Sequence, residues 1–577
     1  MAVAVSPGVN PLHPHRVASY LPTLASILLP ALGVVVACGG SSEGGVRPPP
    51  ADMDGGANDA ADIDGAAPAD AGGCRSSVQP SPGVIVTDKG AVRGALESSA
   101  YAYRNIPFAA PPTGALRWKP PAPAACWSDA RDGAAWGPMC PQVAENGTGP
   151  VTGSEDCLQL NVFAPTNKIG PLPIMLWIHG GGHVSGSAAS ETGGIRIYDG
   201  GALAAKEGVI VVSTNYRLGA LGFLAHPKLA AEDPNHSEGN YGTLDLIAAL
   251  QWVKANAAAI GGDPARVTIF GESAGAVNVC ALVVSPLAKG LFVGGIMESG
   301  ACVAKERADA ETFSGKIFAA SKCDAAADPL ACMRALTADA LTAALPVKTD
   351  VAGATGGYGN VNDGYVITGK PIDVIEAGGH SKVAMIVGSN SDETSRSVPI
   401  PPTATDAQYQ AAVRTLFAGA ADPVLAQYPS ANYPSPWKAY IALTTDAKFG
   451  CQARKAARAF AQSSAPVYRY YFSHALDNGM PALKSLGAWH GVDVLYIFNH
   501  LNVGGYVAGA GDQVVADTMM HRWASFAKNS SDPNGGQEPA WSPYAAATDP
   551  YLELASPVAS GQGLRTTQCD FWETVAP

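Results

Sequence analysis

The stretch RVTIFGESAGAVNVCALVV, residues 266–284, holds two regular conformations and a turn between them. RVTIF is a short branched apolar run of the kind buried on both faces of a parallel sheet, and AVNVCALVV continues as a helical run. Between them, Gly271-Glu272-Ser273-Ala274-Gly275 fits the GxSxG turn, whose serine sits on a sharp strand-to-helix corner. Such a corner leaves room only for small flanking residues, which Gly271 and Gly275 supply. It also aims the first N–H groups of the helix at whatever reacts with the serine. A tight turn that merely needs small residues would use the same glycines, but it would need neither this strand before it nor this helix after it. Ser273 is therefore expected to be a nucleophile.

Working outward, PIMLWIHG (173–180), GVIVVSTNY (208–216) and KVAMIVGSN (382–390) have the same near-continuous apolar character. Between the second of these and the elbow strand, Leu244, Ile247, Ala248, Leu250 and Val253 recur at helical spacing, so strand, helix and strand follow as a βαβ unit. The beginning of the body reads as antiparallel, with Val84–Val86 and AVRGAL on either side of a turn at Asp88-Lys89-Gly90, and an aromatic strand, VYRYYF (467–472), comes late. No stretch of linker composition interrupts the chain after residue 80, which predicts one α/β domain, residues 80–577, with long insertions.

His179-Gly180-Gly181-Gly182 ends the strand PIMLWI, and three successive glycines leave backbone N–H groups approachable. The amides of Gly181 and Gly182, with that of Ala274, are expected to bind an oxyanion, each donor contributing about 3 to 4 kcal/mol to a tetrahedral intermediate. The loop lacks the GK[ST] that a nucleotide-binding loop requires. A serine hydroxyl also needs a base, and the base a carboxylate, in the chain order Ser, acid, His. Asp392 and Glu393 both follow the strand KVAMIVGSN; among later histidines, His474 ends the strand VYRYYF and His490 lies in the small-residue loop GAWHG, while His500 and His521 also compete. The residues alone leave His474 and His490 level.

Composition narrows the rest. The chain has 577 residues, 47% hydrophobic and only 15% charged, too apolar to be disordered. Its net charge of −12 has the wrong sign for a nucleic-acid partner. Residues 20–37 (YLPTLASILLPALGVVVA) form an apolar stretch behind Arg16 that runs into Cys38-Gly39-Gly40, the layout of a signal peptide over 1–37 with Cys38 as a lipidated first mature residue. Residues 38–79 are mostly Gly, Ala, Pro, Asp and Ser, a flexible tether, and lipid on Cys38 is the only membrane contact expected. This predicts an exported bacterial lipoprotein of the cell envelope. Ten cysteines remain after Cys38, an even number that suits an oxidising compartment. Cys280 lies in an apolar helical run and reads as a buried thiol.

The chain resembles the type B carboxylesterase and cholinesterase-like family of α/β-hydrolases over residues 80–577. The matching segments are Asn105-Ile106-Pro107-Phe108-Ala109 with PPTGALRW, Ser154-Glu155-Asp156-Cys157-Leu158 with LNVFAP, WIHGGG and NYRLGALGFL. NYGTLDLIAALQWVKANAAAIGGDPARVTIFGESAG, GSNSDET, LGAWHGVD and FAKNSSDPN complete the match. The resemblance implies an α/β-hydrolase fold, a large mixed and mostly parallel sheet with helices on both faces. It implies a triad of Ser273, Glu393 and His490, with His474 demoted to a structural or pocket position, and disulfides Cys140–Cys157 and Cys323–Cys332. Glu272, Ser299 and Asp493 are expected to support the triad from behind. Two departures stand out: Gly147 replaces the Trp that choline-binding members carry, so choline esters are not expected, and His183 follows the glycine loop where an aromatic is usual. The implied activity is hydrolysis of small to medium carboxylic esters through an acyl-enzyme, with no cofactor and no metal and with a small-molecule ester as partner. A triacylglycerol lipase is the alternative within the class. A non-catalytic binding protein of the same fold is the alternative outside it, and the retention of all three triad residues speaks against that reading.

Overall fold

The computed structural model describes Cys74 and residues 76–575, apart from 145–146, 168, 348–350 and 353–356. The expected signal segment, Cys38 and the tether up to residue 73 lie outside the described residues.

Eleven strands make one sheet: β1 (Ala95–Glu97), β2 (Ala100–Pro107), β3 (Gln159–Pro165), β4 (Leu172–Ile178), β5 (Ile210–Thr214), β6 (Gly262–Glu272), β7 (Gly294–Glu298), β8 (Ala384–Asn390), β9 (Val467–Phe472), β10 (Pro550–Leu554) and β11 (Ala559–Gln562). Their order across the sheet is β11-β10-β9-β8-β7-β6-β4-β5-β3-β2-β1. From β5 through β4, β6, β7, β8 and β9 to β10 every pairing is parallel, and the pairings outside that block are antiparallel. The near-continuous apolar runs read from the sequence, on β4, β5, β8 and the RVTIF part of β6, all lie in this parallel block, where both faces are covered.

The covering follows the two-residue alternation of β4. Leu176 and Ile178 face one core with α1 (Tyr241–Ile260) and α2 (Ala274–Val284), whereas Met175 and Trp177 face a second core with α3 (Ala510–Lys528), where Met519, Trp523 and Phe526 meet them. A third cluster, with Tyr409, Tyr428, Trp437 and Trp572, holds the late insertion helices together.

The first hairpin differs from expectation. Val84–Val86 pairs antiparallel with Ala91–Arg93, but together with Arg131–Asp132 it forms a separate three-stranded sheet, and the chain joins the large sheet only at Ala95. Gly94 makes the transfer: a Cβ there would lie 2.6 Å from the Tyr103 ring and 2.8 Å from the Ala102 carbonyl oxygen.

All ten described cysteines pair. Cys140–Cys157 and Cys323–Cys332 match the expectation, and Cys74–Cys126, Cys280–Cys302 and Cys451–Cys569 complete the set. Cys280 is thus a disulfide partner rather than a free buried thiol. The apolar helical run hid this, because its partner arrives from the segment after β7, which presses on α2 so closely that a Cβ on Gly300 would lie 2.5 Å from the Ala276 Cβ. Five disulfides are the pattern of an exported protein. Among the described residues no helix is long and apolar enough to cross a membrane.

Candidate active site

In an open parallel sheet the strand ends facing the N-termini of the following helices are where reacting groups gather. Ser273 stands there, between β6 and α2, at φ 57° and ψ −124°, a conformation that non-glycine residues rarely adopt. The corner is held from both sides. The Ser273 amide donates to the Glu298 carbonyl at 2.9 Å on the neighbouring strand. A Cβ on Gly275 would lie 2.0 Å, and one on Gly271 2.6 Å, from the Ile178 carbonyl oxygen at the end of β4, so the glycines are required by contact with that strand.

His490 Nε2 lies 2.8 Å from Ser273 Oγ, and His490 Nδ1 lies 2.7 Å from Glu393 Oε2. With Nδ1–H donating to the carboxylate, Nε2 is the acceptor for the serine hydroxyl. Glu393 is fully buried behind the ring, and its other oxygen accepts the Asn390 amide at 2.7 Å. The His490 amide in turn donates to the Glu393 carbonyl at 3.0 Å. Asn390, which no sequence signal marked, clamps the acid loop to the histidine loop: its Nδ2 donates to the Trp489 carbonyl and to Asp493 Oδ1, each at 3.0 Å. The ring of Phe449 rests against the other side of His490, centroids 4.9 Å apart, carried by the wide helical turn Asp446–Gly450. Phe449 too was invisible in the sequence.

The alternatives have other partners. Asp392 is ion-paired with Lys438 at 2.7 Å, whereas its neighbour Glu393 meets His490. His474 Nε2 is bonded to Asp512 at 2.9 Å, His500 to the Asp199 carbonyl at 3.0 Å, and His521 to Glu207 at 3.2 Å.

Carboxylates crowd the relay. Glu272 Oε1 lies 3.3 Å from His490 Nε2. Burial acts to lower the basicity of His490, but Glu272, Glu393 and Asp493 outweigh it and raise the imidazole to about 9. Burial and the Glu393 charge push Asp493 up to about 6, and burial with the Asp493 charge raises Glu298 well above the usual carboxylate range. Asp493 reaches the relay through Asn390. Ser299, buried at φ 54°, donates its amide to the Gly388 carbonyl at 3.0 Å and makes no hydrogen bond to the three relay residues among the described contacts.

The glycine loop faces the serine. A Cβ on Gly180 would lie 2.9 Å from the Ser273 Cβ. The loop curls back so that the Gly181 carbonyl accepts from Val184 and Ser185, and among the described residues the amides of Gly181, Gly182 and Ala274 have no backbone acceptor. His179 props the loop: its buried ring stacks on Tyr216, centroids 4.5 Å apart, and Tyr216 donates its hydroxyl to the His179 carbonyl at 3.0 Å. His183 is buried, bonded through Nε2 to Asn278 Oδ1 at 3.2 Å and packed edge-on against Phe223; burial pushes it down to about 4 and keeps it neutral.

A serine on a strand-to-helix elbow, bonded to a carboxylate-backed imidazole and facing free amides, defines a serine hydrolase of the α/β-hydrolase fold. The model of the carboxylesterase family matches residues 81–572, and the chain belongs to that family. It is 36% identical to the fumonisin B1 esterase of Sphingopyxis macrogoltabida over 498 residues, 83% of this chain and 87% of that one. It is 34% identical to the cocaine esterase of Homo sapiens over 531 residues, 86% of this chain and 90% of that one. Its fold is similar to that of a solved PNB esterase, with TM-score 0.71 and 30% identity over 85% of this chain and 99% of that one. The protein is a carboxylic ester hydrolase.

Proposed function

We propose that Ser273 attacks the ester carbonyl while His490 takes its proton, that Glu393 holds and stabilises the resulting imidazolium, and that the amides of Gly181, Gly182 and Ala274 bind the oxyanion. His490 then gives the proton to the leaving alcohol, and a water molecule activated by the same imidazole releases the acid from the acyl-enzyme. Glu272 and Asp493 add negative charge that favours the imidazolium. The observation that carries this reading is the continuous line from Ser273 Oγ through both nitrogens of His490 to Glu393, with spans of 2.8 and 2.7 Å. The substrates are small to medium carboxylic esters. A fluorophosphonate probe tests the assignment: it labels the wild type and not Ser273→Ala, and a wild type that turns over 4-nitrophenyl butyrate yet resists the probe overturns it.

The same proposal covers delivery. Residues 1–37 are the export signal, 38–79 an acidic tether from a lipidated Cys38, and 80–577 the catalytic domain, an arrangement supported by the apolar stretch ending at Cys38 and by the five disulfides. Cys38→Ala releases the enzyme from the membrane fraction; unchanged pelleting refutes the anchor.

A further inference from the structure

Behind the relay, one stretch of chain backs both the acid and the base. It begins as the helix Pro436–Thr445, passes through the wide turn Asp446–Gly450 and continues as the helix Cys451–Phe460. The first helix holds the acid loop on either side of Glu393: Lys438 is paired with Asp392 at 2.7 Å, and the hydroxyls of Thr444 and Thr394 lie 2.7 Å apart. The wide turn holds the base. Phe449, half-buried, sets its ring against that of His490, centroids 4.9 Å apart. A turn of this width is rare inside a helix and is found mostly at functional positions.

Ser273 and Glu393 hold His490 at its two nitrogens, at 2.8 and 2.7 Å, and both bonds run in the plane of the ring. Resistance to tilting out of that plane has to come from packing against the ring face, which Phe449 provides. A tilted ring presents Nε2 off the line to Ser273 Oγ, and a hydrogen bond weakens steeply as it leaves that line. The turn that carries Phe449 is fastened in its turn to the last helix, Thr566–Thr574. Cys451, the residue after the turn, is bonded to Cys569. Asp446, the buried first residue of the turn, accepts from Arg565 Nε at 3.0 Å and from the Tyr428 hydroxyl at 2.9 Å, and the Trp572 indole donates to that hydroxyl at 2.7 Å. Arg454, on the helix that follows, is paired with Asp570 at 2.7 Å.

We propose that Phe449 is a positioning residue of the hydrolysis, holding the His490 ring in line with Ser273, and that the last helix, through Cys569, Arg565 and Trp572, keeps Phe449 in place. The proposal rests on the reading of Ser273, His490 and Glu393 given above and adds to it a residue that acts through the base. Phe449 takes no part in proton transfer; it limits the orientations from which His490 can accept the proton.

Steady-state hydrolysis of 4-nitrophenyl butyrate tests both halves. Phe449→Ala lowers kcat by about 10- to 100-fold while KM stays within about threefold, because the ester still binds but meets a misplaced base. Phe449→Tyr, which keeps a ring on that face, stays within about threefold of the wild-type kcat. Phe449→Leu, which keeps bulk without the ring, falls between them and replaces Phe449→Ala if that variant does not fold. The fastening is tested by removing both cysteines together. Cys451→Ala with Cys569→Ala lowers kcat by about 10-fold when Phe449 is present and by less than about twofold in the Phe449→Ala background, since both changes act on the same ring. Trp572→Phe, which loses the indole donor to Tyr428, gives a smaller loss with the same dependence on Phe449 and decides the matter if the cysteine variant does not fold. A raised KM with unchanged kcat in Phe449→Ala makes Phe449 a substrate contact and overturns the proposal. Losses that multiply independently of Phe449, or a lower Tm with unchanged kcat in the cysteine and Trp572 variants, overturn the role of the last helix. No turnover of 4-nitrophenyl butyrate and no fluorophosphonate labelling by the wild type is the separate failure of the underlying reading.

Discussion

Two histidines near the end of the chain each hydrogen-bond a buried carboxylate, and only one of them also meets the elbow serine. His474 meets Asp512 at 2.9 Å and His490 meets Glu393 at 2.7 Å. Around Asp512 every demand is met: Tyr496 and Tyr506 donate their hydroxyls at 3.0 and 2.6 Å and the Gly509 amide donates at 2.7 Å. Burial alone would raise that carboxyl, but these donors together hold it below its usual range. Around His490 the balance is reversed. Three further carboxyls, Glu272, Asp493 and Glu298, crowd behind or beside it, two of them pushed upward by burial and mutual repulsion, and the far ring nitrogen faces a hydroxyl on a strained corner. A carboxylate–histidine pair is a common structural element; it becomes chemical where the surrounding charges are left unbalanced and the second nitrogen faces a nucleophile.

The comparison can be broken most forcefully by exchanging which histidine is removed. His490→Ala or Ser273→Ala lowers kcat for 4-nitrophenyl butyrate by roughly 10^4- to 10^6-fold, whereas His474→Ala leaves it within about threefold. A large loss with His474→Ala and a small one with His490→Ala would reverse the assignment of the base. Glu393→Gln, which keeps the shape but loses the charge that fixes the tautomer, lowers kcat by about 10^4-fold, and Asp392→Asn, which breaks only the Lys438 pair, has an effect of less than about tenfold.

The charge imbalance itself is tested by the pH profile. His490 acts as a base only when neutral, so kcat/KM rises with pH through the pKa of that imidazole, which the neighbouring carboxylates raise to about 9. Glu272→Gln removes a negative charge 3.3 Å from Nε2, which disfavours the imidazolium, so the rising limb moves to lower pH while kcat at high pH falls. A limb that stays in place shows that Glu272 does not act on His490. The smallest effect is expected at the settled pair. Asp512→Asn costs about 1 to 3 kcal/mol of stability, read as a lower Tm, with the pH profile of hydrolysis unchanged.

Much of this was legible in residues a few positions apart. RVTIF, GESAG and the helical run after it predicted the elbow; the apolar runs at 173–180, 208–216 and 382–390 fall on β4, β5 and β8; and the helix expected from Leu244 onward is α1. What was not legible depends on distant partners. Asp392 and Glu393 are adjacent, and only Lys438, brought by an insertion helix, shows which one is occupied. Cys280 reads as core until Cys302 is folded against it. Phe449 and Asn390 carry no local pattern, because their work is to touch a histidine loop that arrives from elsewhere.

The amino-acid sequence by itself determined which short segments are strands, helices and sharp turns, since glycine spacing, branched side chains and apolar periodicity act within one element. It marked Ser273 as the proposed nucleophile for the same reason. Tertiary structure alone decided what that nucleophile faces. The bond from Ser273 to His490 closes across 217 residues and that from His490 to Glu393 across 97. Contacts over such distances follow from the order in which strands lie side by side.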